Sequence, residues 1–326
     1  MKVLVTGSNG FIGSTLVQKL VAMGHQVRCL VRRTSDRTWL QGLPVEYVEG
    51  DLNDAADLDR CVAEVDRVYH LAGVTKARDE AGYLRGNYAA TCHLLEACRA
   101  AGRPDARFIY GSSQAAAGPS GVSGAVTESD PPQPISLYGK AKLRAEAAVL
   151  EYARERFATI VRPPSVYGPR ERDIFVYFKA VARGVLLLPG DGSQRISLVH
   201  VDDLIDGILL AGETAQARGR VYFLSSDEPC DWRTFGAVIA RALHKKPLVL
   251  HVPLGVMSPV AFFSVLGSRL TGKPALLNWD KVAEMRQHSW VCSNLRARDE
   301  LGFRPQVGLE AGIAATAAWY QKEGWL

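Results

Sequence analysis

Lys2-Val3-Leu4-Val5-Thr6-Gly7-Ser8-Asn9-Gly10-Phe11-Ile12-Gly13 is the stretch that decides the fold. Val3, Leu4 and Val5 make a short apolar strand, and the apolar positions from Phe11 to Met23 recur at helical spacing. Between strand and helix stands G-x-x-G-x-x-G. Gly7 permits the tight turn, Gly10 lets the backbone approach a pyrophosphate, and Gly13 allows the helix to pack close on the strand. Free amides and the positive dipole at the helix N-terminus complete an anion site. This order of strand, glycine turn and helix predicts a dinucleotide site.

The same grammar repeats through the first half. Gln26–Val31, Val45–Val48, Arg67–Leu71 and Arg107–Tyr110 read as further strands, a helix covers Tyr83–Ala101, and another strand ends at Val161. Short apolar strands between amphipathic helices predict an α/β fold, a Rossmann-type doubly wound parallel sheet covered on both faces. Ala115–Pro134 holds three Gly and four Pro and is too long for an ordinary connection, so it reads as a functional loop over the sheet edge. Beyond Pro163 the elements shorten and Pro and Gly recur. We therefore expect a nucleotide-binding domain over residues 1–163 and a smaller substrate lobe over 164–326, interleaved with returns to the sheet.

Tyr138-Gly139-Lys140-Ala141-Lys142 follows the long loop, and Ser112-Ser113 precedes it. Positions four apart share a helix face, so the Tyr138 hydroxyl and Lys142 ammonium can serve one cleft. A phenol titrates near ~10, and a neighbouring cation is what turns it into a usable proton shuttle. At the other end of the expected nucleotide site, the second strand ends Leu30-Val31-Arg32-Arg33. No carboxylate stands there to grip a ribose 2′-hydroxyl, and two guanidiniums suit a 2′-phosphate. NADP is thus favoured over NAD.

Bulk properties narrow the classes. The 326 residues are 47% hydrophobic and 22% charged, ordinary for a soluble globule, and the formal charge of +5 comes from dispersed Lys and Arg. That excludes a nucleic-acid-binding module. Six cysteines (29, 61, 92, 98, 230 and 292) form no C-x-x-C pair, as expected of reduced thiols in a cytoplasmic protein. The seven histidines are scattered and no metal site is expected; His200 reads as structural. The apolar run Leu254–Leu266 is too short and too interrupted to span a bilayer. It leaves lobe core, pocket lining and peripheral membrane contact open.

Together these pieces resemble the extended short-chain dehydrogenase/reductase family, the NAD-dependent epimerase/dehydratase family. The resemblance runs through Gly50-Asp51-Leu52, His70-Leu71-Ala72-Gly73, Asn87, Ser112-Ser113, Tyr138-x-x-x-Lys142, Arg162-Pro163-Pro164-Ser165-Val166-Tyr167-Gly168-Pro169 and Val199-His200-Val201-Asp202-Asp203. It implies Tyr138 as acid/base, Lys142 as holder of the nicotinamide ribose and depressor of the tyrosine pKa, and Ser113 as hydrogen-bond donor to the reacting oxygen. The cofactor contacts it implies are Gly7, Asn9, Gly10, Phe11, Ile12, Gly13, Arg32, Arg33, Asp51, Leu52, Leu71, Ala72, Gly73, Asn87, Ser112, Pro163 and Ser165, with Tyr138 and Lys142 themselves. Family analogy also implies a homodimer through the Tyr83–Ala101 and Tyr138–Arg154 helices.

The substrate is less legible. In family members that act on nucleotide sugars, an Arg before the His-Val-Asp-Asp motif helps hold the diphosphate. Here that position is Ile196, with Arg195 one residue early, and a one-residue slip on a strand reverses the face. Tyr222–Trp232 and Val199–Leu204 resemble the 3β-hydroxysteroid dehydrogenase group, and Leu30-Val31-Arg32 the dihydroflavonol reductases. The leading expectation is an NAD(P)-dependent oxidoreductase of a secondary alcohol or ketone on a bulky, apolar molecule, sterol-like or β-keto acid-like. A sugar-nucleotide epimerase, dehydratase or reductase is the alternative. A non-catalytic cofactor-binding regulator is the third, and the intact Ser113, Tyr138 and Lys142 argue against it.

Overall fold

The computed structural model describes residues 1–121, 124–256, 259 and 279–326. Its centre is a seven-stranded sheet built from β1 (Lys2–Thr6), β2 (Gln26–Val31), β3 (Val45–Glu49), β4 (Arg67–His70), β5 (Arg107–Gly111), β6 (Ala158–Arg162) and, far along the chain, β11 (Val221–Phe223). The order is β11-β6-β5-β4-β1-β2-β3, and every pairing is parallel. The chain winds outward from β1 in both directions, so β1 and β4 part their connections at a switch point. There the carboxyl ends of the strands open a crevice.

Side-chain alternation divides the apolar residues between two faces. Val3, Val5, Cys29, Val31, Tyr69, Ile109 and Val161 enter one core with α1 (Phe11–Ala22). Leu4, Leu30, Val68, Phe108, Tyr110 and Ile160 enter the other, against α2 (Ala55–Val62), α4 (Ala90–Ala100) and α5 (Leu137–Ala153). The predicted helix over Tyr83–Ala101 is longer and composite: α3 (Glu80–Tyr83) passes through a π-turn at Leu84–Ala89 into α4.

The remaining elements are short strands β7 (Ser165–Tyr167), β8 (Val185–Pro189), β9 (Arg195–Ile196), β10 (Leu198–His200), β12 (Cys230–Asp231), β13 (Leu248–Val252) and β14 (Ser289–Trp290). With them run helices α6 (Phe175–Ala182), α7 (Val201–Glu213), α8 (Trp232–Ala242), α9 (Trp279–Met285), α10 (Leu295–Leu301) and α11 (Leu309–Lys322). β12, β9 and β14 form one small sheet, β13 pairs with β8, and β10 with β7. A third core gathers Tyr167, Phe178, Leu186, Leu188, Ile196, Phe235 and Tyr320. Helix α7 and the segment Ala297–Phe303 instead join the first core, so the second half of the chain covers the sheet as well as building the smaller lobe.

The loop expected to lie over the sheet edge is pinned to the smaller lobe. Ser120 N donates to Ser289 O, Val126 N to Val291 O and Ser293 N to Val126 O. These backbone bonds make the loop an extra rung beside β14. Most of the Leu254–Leu266 run lies outside the described residues. Among the described residues no helix is long and apolar enough to cross a membrane.

Candidate active site

The glycine turn closes as its spacing dictates. Gly7 takes φ +70° and Gly10 N donates to Gly7 O at 3.0 Å. A Cβ on Gly13 would stand 2.0 Å from Gly7 O, and one on Gly7 would stand 2.7 Å from Ala72 N, so neither position admits a side chain. Asn9 and Gly10 remain accessible at the rim, while Phe11 and Ile12 pack against the first core. Thr6 fastens the neighbouring loop: its hydroxyl contacts His70 Nδ1 at 2.7 Å and accepts from Ala72 N at 3.3 Å. Burial holds His70 neutral, with its pKa lowered to about 3. Leu71, Ala72 and Gly73 thus pass beside the turn.

Asn87 lies in the π-turn and clamps that loop from below. Its Oδ1 accepts from Val74 N at 3.2 Å, and its Nδ2 donates to Val74 O and Tyr83 O, both at 3.0 Å. Both amide hydrogens therefore hold the protein's own backbone. A Cβ on Gly73 would meet Asn87 Oδ1 at 2.8 Å and Lys142 Nζ at 3.4 Å, which places the loop, the clamp and the lysine in one small volume.

At the far end of the crevice, Arg32, Arg33, Gly50 and Asp51 line one open cleft with Glu49 and Asp57. Asp51 Oδ1 accepts from Asn53 N and Nδ2, and these bonds, with the charge of Arg32, lower its pKa. Leu52 packs on the second core. Both arginines are exposed, and among the described residues neither forms an ion pair.

The chemistry-bearing side chains sit where β5 meets α5. Ser136 caps α5 through Gly139 N, which starts the helix immediately before Tyr138. Ser113 caps the turn Gln114–Ala116, accepting from Ala115 N at 3.2 Å. Burial raises the Tyr138 pKa to about 12; a hydrogen bond from Ser113 works to lower it, and Glu284 and Tyr83 add to the rise. Lys142 is buried, donates to Gly111 O at 2.6 Å, and holds its ammonium 4.6 Å from the Tyr110 ring centre. Burial lowers its pKa to about 8 against the opposing pull of Glu146. Desolvation dominates Tyr138, and the Lys142 charge is directed at a carbonyl and a different ring.

Ser112 turns away from the crevice and donates to Glu146 Oε1. Glu146 also takes a two-point ion pair from Arg162, Nε at 2.9 Å and Nη2 at 2.6 Å. Tyr138, Lys142 and Glu146 follow at intervals of four, so this pair underlies the face that carries the first two. Pro163 is buried and its carbonyl accepts from Gln114 N, whereas Ser165 is exposed on β7. Residues absent from the sequence-based site close it from the other lobe. Asp280 on α9 accepts from Leu137 N at 2.9 Å, at the first turn of α5, and Glu284 one turn later acts on Tyr138. His200 accepts from Asp202 N and caps α7, and Asp203 receives Gln306 N and Val307 N, so that motif organises the fold.

The donor set fits a nicotinamide dinucleotide. A turn that excludes side chains lies at a helix N-terminus, free guanidiniums stand at the adenosine end, and Lys142 keeps N–H donors beyond its one carbonyl partner. Among the described residues no His, Cys, Asp and Glu cluster could hold a metal ion.

Comparison with known proteins agrees. The model of the NAD dependent epimerase/dehydratase family matches residues 3–225. The chain is 32% identical to the ceramide reductase of Caulobacter vibrioides (strain NA1000 / CB15N), over 99% of this chain and 96% of the relative. It is 30% identical to the 2-alkyl-3-oxoalkanoate reductase of Stenotrophomonas maltophilia (strain K279a), over 96% and 97%. The solved structure of MoeE5 in complex with UDP-glucuronic acid and NAD superposes with a TM-score of 0.80 at 26% identity, covering 99% of this chain and 100% of that one.

Proposed function

This chain belongs to the NAD-dependent epimerase/dehydratase family of NAD(P)-dependent oxidoreductases, and we propose that it reduces a ketone on a bulky apolar molecule, with NADP preferred. The observation that carries the reaction is the grouping of Ser113, Tyr138 and Lys142 at the crevice beside the Gly7 turn. When bound, the nicotinamide supplies a hydride to the carbonyl carbon. Tyr138 supplies the proton to the carbonyl oxygen, and Ser113 donates a hydrogen bond to that same oxygen. A phenol held near 12 is protonated at neutral pH, which is the state needed to give a proton. Lys142, charged below about pH 8, is placed to hold the ribose hydroxyls.

For the substrate, the register of β9 supports the apolar reading. Ile196 is buried in the third core and Arg195 is exposed on the opposite face, so β9 itself turns no arginine inward. The two relatives described above are named as reductases, one of ceramide and one of 2-alkyl-3-oxoalkanoates. The sugar-nucleotide alternative draws on the MoeE5 likeness. The two separate in one experiment. NADPH oxidation is followed with long-chain β-keto acids and polycyclic ketones, alongside thermal shifts with UDP- and dTDP-sugars. A sugar-nucleotide shift without turnover of any apolar ketone overturns the proposal. Tyr138→Phe lowers turnover by about a hundredfold or more while NADPH affinity is retained; an unchanged rate removes Tyr138 from the mechanism.

A further inference from the structure

Among the described residues, exposed aliphatic side chains gather on the pair β8 and β13. Leu187 is 43% exposed, Leu248 65%, Val249 45% and Leu250 43%. The register sets Leu250 beside Leu187 and Leu248 beside Val185. Leu186 and Leu188 point inward to the third core, so by alternation Val185, Leu187, Leu248 and Leu250 share the outward face. β13 pairs only with β8, so among the described residues this aliphatic block ends at an unpaired edge. Soluble proteins rarely leave such an edge uncovered without a reason.

Charge says what covers it. The two strands are parallel, so their N-terminal ends lie together; Leu248 N donates to Gly184 O at 2.8 Å. Arg183 precedes β8 there, and Lys245 and Lys246 precede β13. Lys179 stands one turn before Arg183 on the end of α6. All four are exposed and form no ion pair among the described residues, whereas neighbouring Arg241 pairs with Glu310. The sequence has no Asp or Glu between Asp173 and Asp191, and none between Asp231 and Asp280. In a chain with 34 carboxylates against 39 Lys and Arg, both segments that build this face are thus purely cationic.

We propose that the β8–β13 face docks the protein on an anionic lipid bilayer. The aliphatic block enters the headgroup boundary and the cations at its end meet lipid phosphates, the two signals that a stable peripheral contact needs. A second copy is the poorer occupant, because it would bring two sets of uncompensated cations together. The proposal does not depend on which ketone is reduced, and it leaves the chemistry near Tyr138 untouched.

The test is co-sedimentation of the full chain with vesicles of phosphatidylcholine, alone or mixed equally with phosphatidylglycerol. Binding is expected to the mixed vesicles, to fall with added salt, and to be slight on phosphatidylcholine alone. Lys245→Glu with Lys246→Glu weakens it by roughly tenfold or more. Leu248→Ser with Leu250→Ser does the same without lowering the melting temperature or NADPH affinity. Wild-type protein that stays unbound from mixed vesicles at low salt overturns the proposal, as does equal binding by both variants. Loss of self-association, rather than of vesicle binding, in the leucine variant assigns the face to a second copy and also overturns it.

Discussion

Glu146→Gln separates the charge that supports the site from its shape. Glu146 and Arg162 are 2% and 5% exposed at the side chain and joined at two points, with Ser112 as a third partner. Glutamine keeps the volume and one acceptor but leaves the guanidinium buried without its two-point partner. Breaking such a pair by one partner costs about 3–5 kcal/mol. Unfolding entropy near ~2.1 cal/mol/K per residue, over a chain of this length, converts that to a fall of about 4–7 °C in Tm. Glu146 is also the group that opposes the burial of Lys142. Without it the lysine pKa drops further below about 8, the ammonium is lost at lower pH, and the alkaline limb of the pH–rate profile moves toward neutrality. Melting by circular dichroism and kcat/KM against pH read the two effects separately. Glu146→Leu with Arg162→Met should recover at least half of the lost Tm, because an apolar pair replaces an ion pair at little cost. A single variant that melts within about a degree of wild type, with an unmoved alkaline limb, refutes the reasoning.

Three further outcomes follow from the same geometry. Replacing Arg32 and Arg33 with alanine should lower kcat/KM for NADPH by roughly thirtyfold and leave NADH nearly unaffected, since each free cation contributes about a kcal/mol to a phosphate; equal losses with both cofactors contradict a 2′-phosphate role. Gly13→Ala places a methyl 2.0 Å from Gly7 O and must open the turn, so NADPH-induced thermal stabilisation should vanish. Lys142→Met removes an amine whose folded pKa of about 8 lies below its unfolded ~10.4. The native state therefore binds fewer protons between those values, and this lysine's contribution to stability rises with pH across that window. The variant should be inactive yet melt higher than wild type at pH 7, with the difference shrinking toward pH 10.

What the sequence disclosed was what is encoded locally. The Gly7 turn, the strand alternation and the Tyr138–Lys142 spacing depend on neighbours a few residues away, and the structure groups Ser113, Tyr138 and Lys142 accordingly. Glu146 was within reach of the same rule, since it continues the face at the next interval of four, but its partner Arg162 is on strand β6. Arg28 was unreadable: inside an apolar strand it gives Nη1 to the carbonyls of Arg60, Cys61 and Ala63 and closes the end of α2. Asp280 and Glu284 reach α5 across 143 positions of chain in the case of Leu137, and no local pattern reports that. The Ala115–Pro134 loop was legible as unusual, yet its attachment to β14 joins backbone bonds to the Ser120 hydroxyl, whose partners Ser289 and Val291 lie 169 and 171 positions away, beyond any local pattern.

Burial explains why the site needs more than the motif. The same desolvation that raises Tyr138 to about 12 lowers Lys142 to about 8, so it favours the neutral form of both. For the tyrosine this is useful, because a proton donor must stay protonated at neutral pH. For the lysine it works against the proposed role, which requires the ammonium. Glu146 opposes that effect on the lysine from one turn below, and Arg162 holds the carboxylate in place at two points. In the proposed mechanism the Tyr-x-x-x-Lys spacing supplies the reacting groups, and the buried pair beneath it favours the charged form of the lysine.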